Sequence, residues 1–213
     1  MALYSKLSLN VPFDAAVWAL ASAALWGCRR LGELTIPSIQ GFDPLRHVAR
    51  SAEIKRVKHG NSYTSSFHIP WTKSTQERGG TVILTDREDE LCPAVALQNH
   101  LTPGGRWLPM TKDWFLTRCT DIWKSCGLLA VAGHSFRIGG STELLLAGVP
   151  CEVVAATGGW SSLAFLLYWR KLEHIIAMAI GKAYDKKKIE EVALVFERFR
   201  VDNNIQLAHD EDL

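Results

Sequence analysis

The stretch Gly133-His134-Ser135-Phe136-Arg137-Ile138-Gly139-Gly140-Ser141-Thr142 decides how the rest of this chain is read. His134 and Arg137 stand three residues apart at what reads as a helix start, so they share one helix face. Trp160 follows 23 positions after Arg137, and Tyr168 follows 8 positions after Trp160. Arg30, far upstream, and Lys73, in between, add two more cations. These are cationic donors around one possible nucleophile, a set that suits phosphodiester chemistry needing no metal. Each residue alone has a plainer reading: Arg30 as a structural ion pair, Lys73 as an exposed turn lysine, His134 and Arg137 as cap or core, Trp160 and Tyr168 as packing. Order and mutual spacing are what set them apart.

Splitting a phosphodiester with tyrosine makes specific demands. A phenol has a pKa near 10, so only about one in a thousand is ionised at neutral pH. It becomes useful when developing negative charge is stabilised and its proton has somewhere to go. Guanidinium forks match the two non-bridging oxygens and stay charged. The leaving 5′ oxygen needs a proton, which a lysine on a flexible loop can deliver. A histidine near the phosphate can donate a hydrogen bond or take the phenolic proton.

Around these residues the chain reads as mainly helical. Pro12-Phe13-Asp14 looks like a helix start with Asp14 as cap, and small apolar residues follow to Leu25. Gly27 marks a turn, Arg29 to Leu34 resumes a short helical pattern, and Pro37 breaks it. Glu53 to Lys58, Tyr63 to Trp71 and Gly80 to Thr85 are β-prone, separated by turns at His59-Gly60-Asn61 and Glu77-Arg78-Gly79-Gly80. They predict a three-stranded antiparallel sheet whose second connection carries Lys73. Helices are then expected over Pro93 to Leu101, Thr111 to Cys126, His134 to Ala147 (stopping at Gly148), from Pro150 to Gly158-Gly159, from Ser161 or Ser162 to about Met178, and over Asp185 to Arg200. The fold class is α+β.

Composition narrows the choices less. The 213 residues, 47% hydrophobic, suffice for one well-buried domain. Net charge is only +2, but Arg46, Arg50, Lys55, Arg56, Lys58, Lys73 and Arg78 face only Glu53 and Glu77 between positions 46 and 78. Such a local patch suits one face for an anionic polymer, or a solvated loop face. The tail reverses sign at Asp210, Glu211 and Asp212. The five cysteines are scattered and form no C-x-x-C, so neither zinc nor a disulfide framework is expected. No signal peptide is visible, and the apolar run Ala15 to Trp26 is too short to span a bilayer.

The chain resembles the catalytic domain of tyrosine recombinases, the group that includes phage integrases, Cre and the Xer proteins. The wording Gly133 to Thr142 and Trp160 to Arg170 is similar to recombinases of eukaryotic mobile elements, such as fungal Crypton-like elements and tyrosine-recombinase retroelements. The resemblance runs from about Ala15 to Arg170. It puts the family's first arginine, which sits in an Arg-x-x-Glu/Asp pattern, at Arg30, with Glu33 as its supporting carboxylate. It puts the hairpin lysine at Lys73 and the His-x-x-Arg box at His134 and Arg137. Gly148, eleven residues past Arg137, matches a helix-ending glycine, and Trp160, twelve further on, matches a His/Trp position. The nucleophile is then Tyr168. Its spacing from Trp160 is eight residues, where bacterial and phage members usually have nine. Tyr4, Tyr63 and Tyr184 fit less well.

The resemblance implies a site-specific DNA recombinase or integrase working through a 3′-phosphotyrosine, with no metal and no cofactor. A type IB topoisomerase-like enzyme and a catalytically silent DNA-binding protein domesticated from a mobile element are the alternatives. Double-stranded DNA is the implied partner, with a homo-oligomer (dimer or tetramer) on DNA, no membrane, and a nuclear location. Arg46, Lys55, Lys58 and Thr72 are candidates to touch phosphates. The catalytic domain is expected over residues 1–181. Residues 182–213 form a C-terminal helix and tail that either pack on the same domain or dock on a neighbouring subunit. The family carries an amino-terminal DNA-clamping domain. Only about 14 residues precede the first expected helix, so the chain reads as a fragment lacking that domain, with weak DNA affinity.

Overall fold

Helix α2 (Pro12–Trp26) is the axis of the first of two compact units, Met1–Gly140. The computed structural model describes residues 2–102, 109–147, 149–160 and 186–204. Ala15, Val17, Ala19, Leu20, Ala21, Ala23 and Ala24 are all buried, so α2 is covered on nearly every side. Its alanines let neighbours approach closely. On one side Val17, Leu20 and Ala24 join Leu3 and Leu7 of the α1 region (Ala2–Lys6), Leu31 of α3 (Leu31–Leu34), and Phe115, Cys119, Ile122 and Trp123 of α5 (Lys112–Ser125). On the other side Ala23 meets Phe67, Ile69, Val82 and Leu84 of a small sheet.

That sheet is antiparallel, in the order β1 (Lys55–His59), β2 (Ser62–Ile69), β3 (Gly80–Thr85). Phe67 pairs with Val82, and Ser65 with Leu84, so alternate residues point into the core. Helix α4 (Pro93–Leu101) starts on its proline, as expected. Thr111 caps α5 by accepting the Trp114 N–H at 3.2 Å.

Helix α6 (His134–Leu146) spans the boundary between the units, which falls at Gly140 and Ser141. Its first turn is anchored by Phe136, whose ring lies 5.3 Å from Phe115 and 6.0 Å from Trp123. In the second unit, Ser141–Leu213, Leu145 packs with Cys151 and Val154 of α7 (Cys151–Gly158) and with Phe196 of α8 (Lys186–Asp202). Val192 and Phe199 join them, so α8 packs on its own unit through one stripe. Among the described residues the architecture is α+β, mixed helix and sheet with a three-stranded antiparallel sheet. Among the described residues no helix is long and apolar enough to cross a membrane.

Four local expectations need correction. Asp14 is not the cap of α2; Val11 is. Asp14 is instead buried, accepting the Ser8 N–H at 2.8 Å and both prongs of Arg118 at 2.9 and 2.8 Å. Helix α1 precedes α2, where no helix was expected. Strand β2 ends at Ile69, not Trp71, and the connection to β3 is longer than a four-residue turn. Gly148, the helix from Ser161 or Ser162, and the expected domain junction near 181 lie outside the described residues.

Candidate active site

The site begins where α2 stops. The Gly27 N–H bonds Ala23 O at 3.0 Å, and the Arg29 N–H bonds Ala24 O at 3.0 Å. Between them Cys28 takes a left-handed backbone, φ +49°, uncommon for a residue with a Cβ. Only glycine fits before it, since a Cβ at 27 would stand 2.6 Å from Ala23 O and 2.9 Å from Val82 Cγ1. This turn aims the Cys28 carbonyl at α6, where Arg137 Nη1 donates to it at 2.9 Å. One hydrogen bond thus joins segments 109 residues apart in the chain. Burial pushes the Cys28 thiol up to about 12, although the Arg137 and Arg29 guanidinium groups pull the other way. Cys28 stays protonated at neutral pH and is no competing nucleophile.

Arg30 sits at the N-cap of α3, and its N–H donates to Glu33 Oε2 at 3.3 Å. Its Nη1 donates to Glu33 Oε1 at 2.9 Å. The carboxylate is 5% exposed and the guanidinium 33%, so the carboxylate is a buried clamp behind a cation that still faces water. The contact agrees with the resemblance's supporting carboxylate and equally with the plainer reading of Arg30 as a structural ion pair.

The start of α6 lies against the same turn. A Cβ at Gly133 would stand 2.6 Å from Leu31 Cδ1, and one at Gly140 would stand 1.7 Å from Leu25 O. Glycine at both positions lets α6 pass the end of α2 and α3 at backbone distance. His134, the first residue of α6, is exposed. Arg137, one turn on, has 0% exposure and is closed to a phosphate in this arrangement. Arg30, His134 and Arg137 are therefore collected around one turn.

Lys73 is exposed on the β2–β3 connection and makes no ion pair among the described residues. That connection is stitched rather than loose. Thr72 and Gln76 exchange backbone hydrogen bonds at 3.3 and 2.9 Å, the Thr75 N–H donates to Thr72 Oγ1 at 3.1 Å, and Thr75 Oγ1 bonds Gly79 O. Gly79, φ +63°, cannot carry a side chain, because its Cβ would meet Ile69 O at 2.1 Å. Lys73 thus stands on a turn, as expected, and that turn is closed by its own hydrogen bonds. Thr72 is not the exposed phosphate contact expected: it is 4% exposed and its hydroxyl serves the turn.

Of the other residues singled out, Trp160 belongs to the second unit. It follows the left-handed Gly159 that ends α7, its N–H bonds Ala155 O at 3.0 Å, and its ring covers Gly158. Tyr168 and Tyr184 lie outside the described residues. Tyr4 packs on Trp18 at 5.3 Å, and Tyr63 lies beneath Arg56 and Lys58 at 4.9 and 5.7 Å. Arg46 stacks on Trp71 at 5.4 Å, and Lys55 stands 3.9 Å from Glu53. Among the described residues no group of three His, Cys, Asp or Glu is placed to hold a metal ion. An apolar cavity of about 400 Å³ is lined by Leu20, Phe42, Val48, Arg50, Leu97 and His100 among others.

The residue that sequence reasoning passed over is Arg29. It is 4% exposed, and its Nη2 donates to Thr81 O. Two adjacent arginines at a helix end look alike in the sequence; only the direction of the chain after Cys28 turns one inward and the other outward. No protein-family model matches this chain, nor does any curated protein or solved structure, so a functional reading stands on the arrangement of its own residues.

Proposed function

We propose that this chain is the catalytic domain of a DNA-cleaving and rejoining enzyme of the tyrosine recombinase type, acting in the integration or excision of a mobile element. Tyr168 Oη attacks the scissile phosphorus in line. The phosphotyrosyl bond forms at the 3′ side as the bond to the 5′ oxygen breaks, and Lys73 Nζ supplies that oxygen's proton. His134 donates to the phosphate or takes the phenolic proton. Arg30, Arg137 and the Trp160 indole N–H balance charge on the non-bridging oxygens. Rejoining reverses the steps and needs no nucleotide, because the bond energy is kept in the adduct.

The observation that carries this reading is the hydrogen bond from Arg137 to Cys28 O, two residues from the clamped Arg30. It brings Arg137 to the turn that carries Arg30, with His134 at the start of the same helix, which supports a shared site for a phosphate. Binding of DNA has to uncover Arg137, which is closed in the free protein. Double-stranded DNA as partner, a dimer or tetramer on it, and a nuclear location belong to the same proposal.

The test is a nicked suicide oligonucleotide, incubated with the protein and run under denaturing conditions. A protease-sensitive, SDS-resistant adduct is expected, and Tyr168→Phe abolishes it. An adduct that persists in Tyr168→Phe removes that residue as nucleophile. DNA binding without any adduct favours the catalytically silent alternative.

A further inference from the structure

Lys73 protonates a leaving oxygen faster when its turn has a fixed place relative to the arginines. The turn is internally stiff through the Thr72, Thr75, Gln76 and Gly79 bonds. The β2–β3 ladder, which runs to Ile69 and Gly80, holds its two ends, and a buried side chain from the end of α2 reaches the same place. Arg29 Nη2 donates to Thr81 O, at the start of β3. Its Nη1 lies so close to Gly80 that an added Cβ would be 3.4 Å from it and 3.3 Å from Thr72 Cγ2. The next residue along is Arg30, and the residue after Thr72 is Lys73. The Glu33 carboxylate that clamps Arg30 also acts on Arg29. A leucine here would fill the space but leave Thr81 O without its donor. A lysine would reach one group and not both sides of Gly80.

We infer that Arg29 is a positioning residue, a buried tether that sets the Lys73 turn against the Arg30 turn so that the proton donor faces the leaving oxygen. The inference rests on the proposed cleavage reaction. It does not make Arg29 catalytic, since its guanidinium is spent on Thr81 O and on the space beside Gly80. The step it serves is transfer of the Lys73 Nζ proton to the 5′ oxygen as the phosphorus–oxygen bond breaks. When sulfur replaces that bridging oxygen, the thiolate leaves without a proton, and the lysine becomes dispensable.

The experiment compares adduct formation by the full chain on two suicide oligonucleotides, one with the natural 5′ oxygen and one with bridging sulfur. Lys73→Ala should lose about a hundredfold or more on oxygen and little on sulfur. Arg29→Met should follow the same pattern at smaller scale, about tenfold on oxygen and under about twofold on sulfur. Arg29→Lys should recover part of the loss. An equal loss on both substrates, or no loss, overturns the inference. Gly80→Ala supplies a milder variant, because its Cβ presses on Thr72 and Arg29 without removing either, and it should show the same selectivity for oxygen. A second measurement needs no DNA: amide exchange at Gln76 and Gly79 should quicken about tenfold in Arg29→Met as the tethered turn opens. Unchanged exchange overturns the tether. Absence of any adduct from the unaltered protein on both substrates sinks the cleavage proposal, while the exchange result still decides the tether.

Discussion

The end of α2 and strand β1 both concentrate positive charge, and they treat it in opposite ways. At the end of α2, Arg29 and Arg137 are buried, and Arg30 is held by a buried carboxylate. Their donors meet backbone carbonyls at Thr81 and Cys28 that the fold fixes in place. Along β1 all five residues are exposed. Arg56 pairs with Asp86 and stacks with Lys58 on Tyr63, while Lys55 faces Glu53 across 3.9 Å. A guanidinium bonded to a fixed carbonyl is held in one orientation, and a charge so oriented stabilises a developing anion strongly once it faces it. A charge on a solvated strand is screened within about 10 Å at ordinary salt. Both regions are basic in sequence, and only one holds its charges in a buried frame, the one the proposed reaction would use.

The sharpest way to break this comparison is Arg137→Lys. A lysine keeps the charge but loses the planar fork whose Nη1 bonds Cys28 O. Adduct formation should fall by about a hundredfold to a thousandfold, the usual loss for one preorganised donor. Full activity in this variant would mean that the buried frame is packing and nothing more.

Next in size is a stability contrast between buried and exposed ion pairs. Burial raises the Asp14 carboxyl, but the Arg118 fork and the Ser8 N–H outweigh it, so its pKa lies below the ordinary 3.8. A depressed carboxylate stabilises the fold above its unfolded pKa and loses that contribution as pH falls through the folded value. Asp14→Asn should cost about 2 kcal/mol at pH 7 and show a weaker loss of stability below about pH 4. Arg56→Gln, which breaks the half-exposed pair with Asp86, should cost under about 1 kcal/mol. Denaturant melts of both variants at pH 7 and pH 3 compare them. Equal costs would erase the distinction.

Glu33→Gln tests the clamp itself. Glutamine can still accept the Arg30 N–H, but it withdraws the charge that holds the guanidinium. Cleavage should slow about tenfold at saturating DNA, from misplacement rather than loss of a donor. A change in DNA affinity alone would assign Glu33 to folding.

Much of this fold is readable in the sequence where local signals and tertiary packing agree. Helix α4 runs from Pro93 to Leu101 and β3 from Gly80 to Thr85, as patterns of proline, glycine and alternation predict. The failures have physical causes. Helix α1 is five residues long, too short for local propensity to announce it; Leu3 and Leu7 packed against α5 hold it. Asp14 carries a capping signature, yet its carboxylate goes to Arg118, 104 residues away, which no local rule sees. The β2–β3 connection reads as strand through Trp71 until hydroxyl bonds from Thr72 and Thr75 close it into a turn. At the candidate site, the Arg30–Glu33 contact lies within one turn, so a local pattern can announce it, whereas the Arg137 bond to Cys28 O spans 109 residues. Arg29 escapes that logic, since its partner Thr81 is 52 residues on.

The smallest expected effect concerns β1, and it is the one that most sharpens the comparison. If Lys55 and Lys58 touch phosphates, each contact releases counterions, so removing one lowers the slope of log affinity against log salt by about one. Lys58→Ala should therefore weaken DNA binding only about twofold to fivefold near physiological salt, and less as salt rises. Cleavage at saturating DNA should not change, because Lys58 lies over Tyr63 and not at the α2 turn. Its neighbour Arg56 should behave alike, as it shares the same ring. Titrations at two salt concentrations, paired with single-turnover cleavage, separate the two quantities. A slope left unaltered makes β1 an ordinary solvated strand. A cleavage defect that survives saturation would put β1 in contact with the reacting phosphate, and the contrast between a buried chemical frame and an exposed binding strand would have to be redrawn.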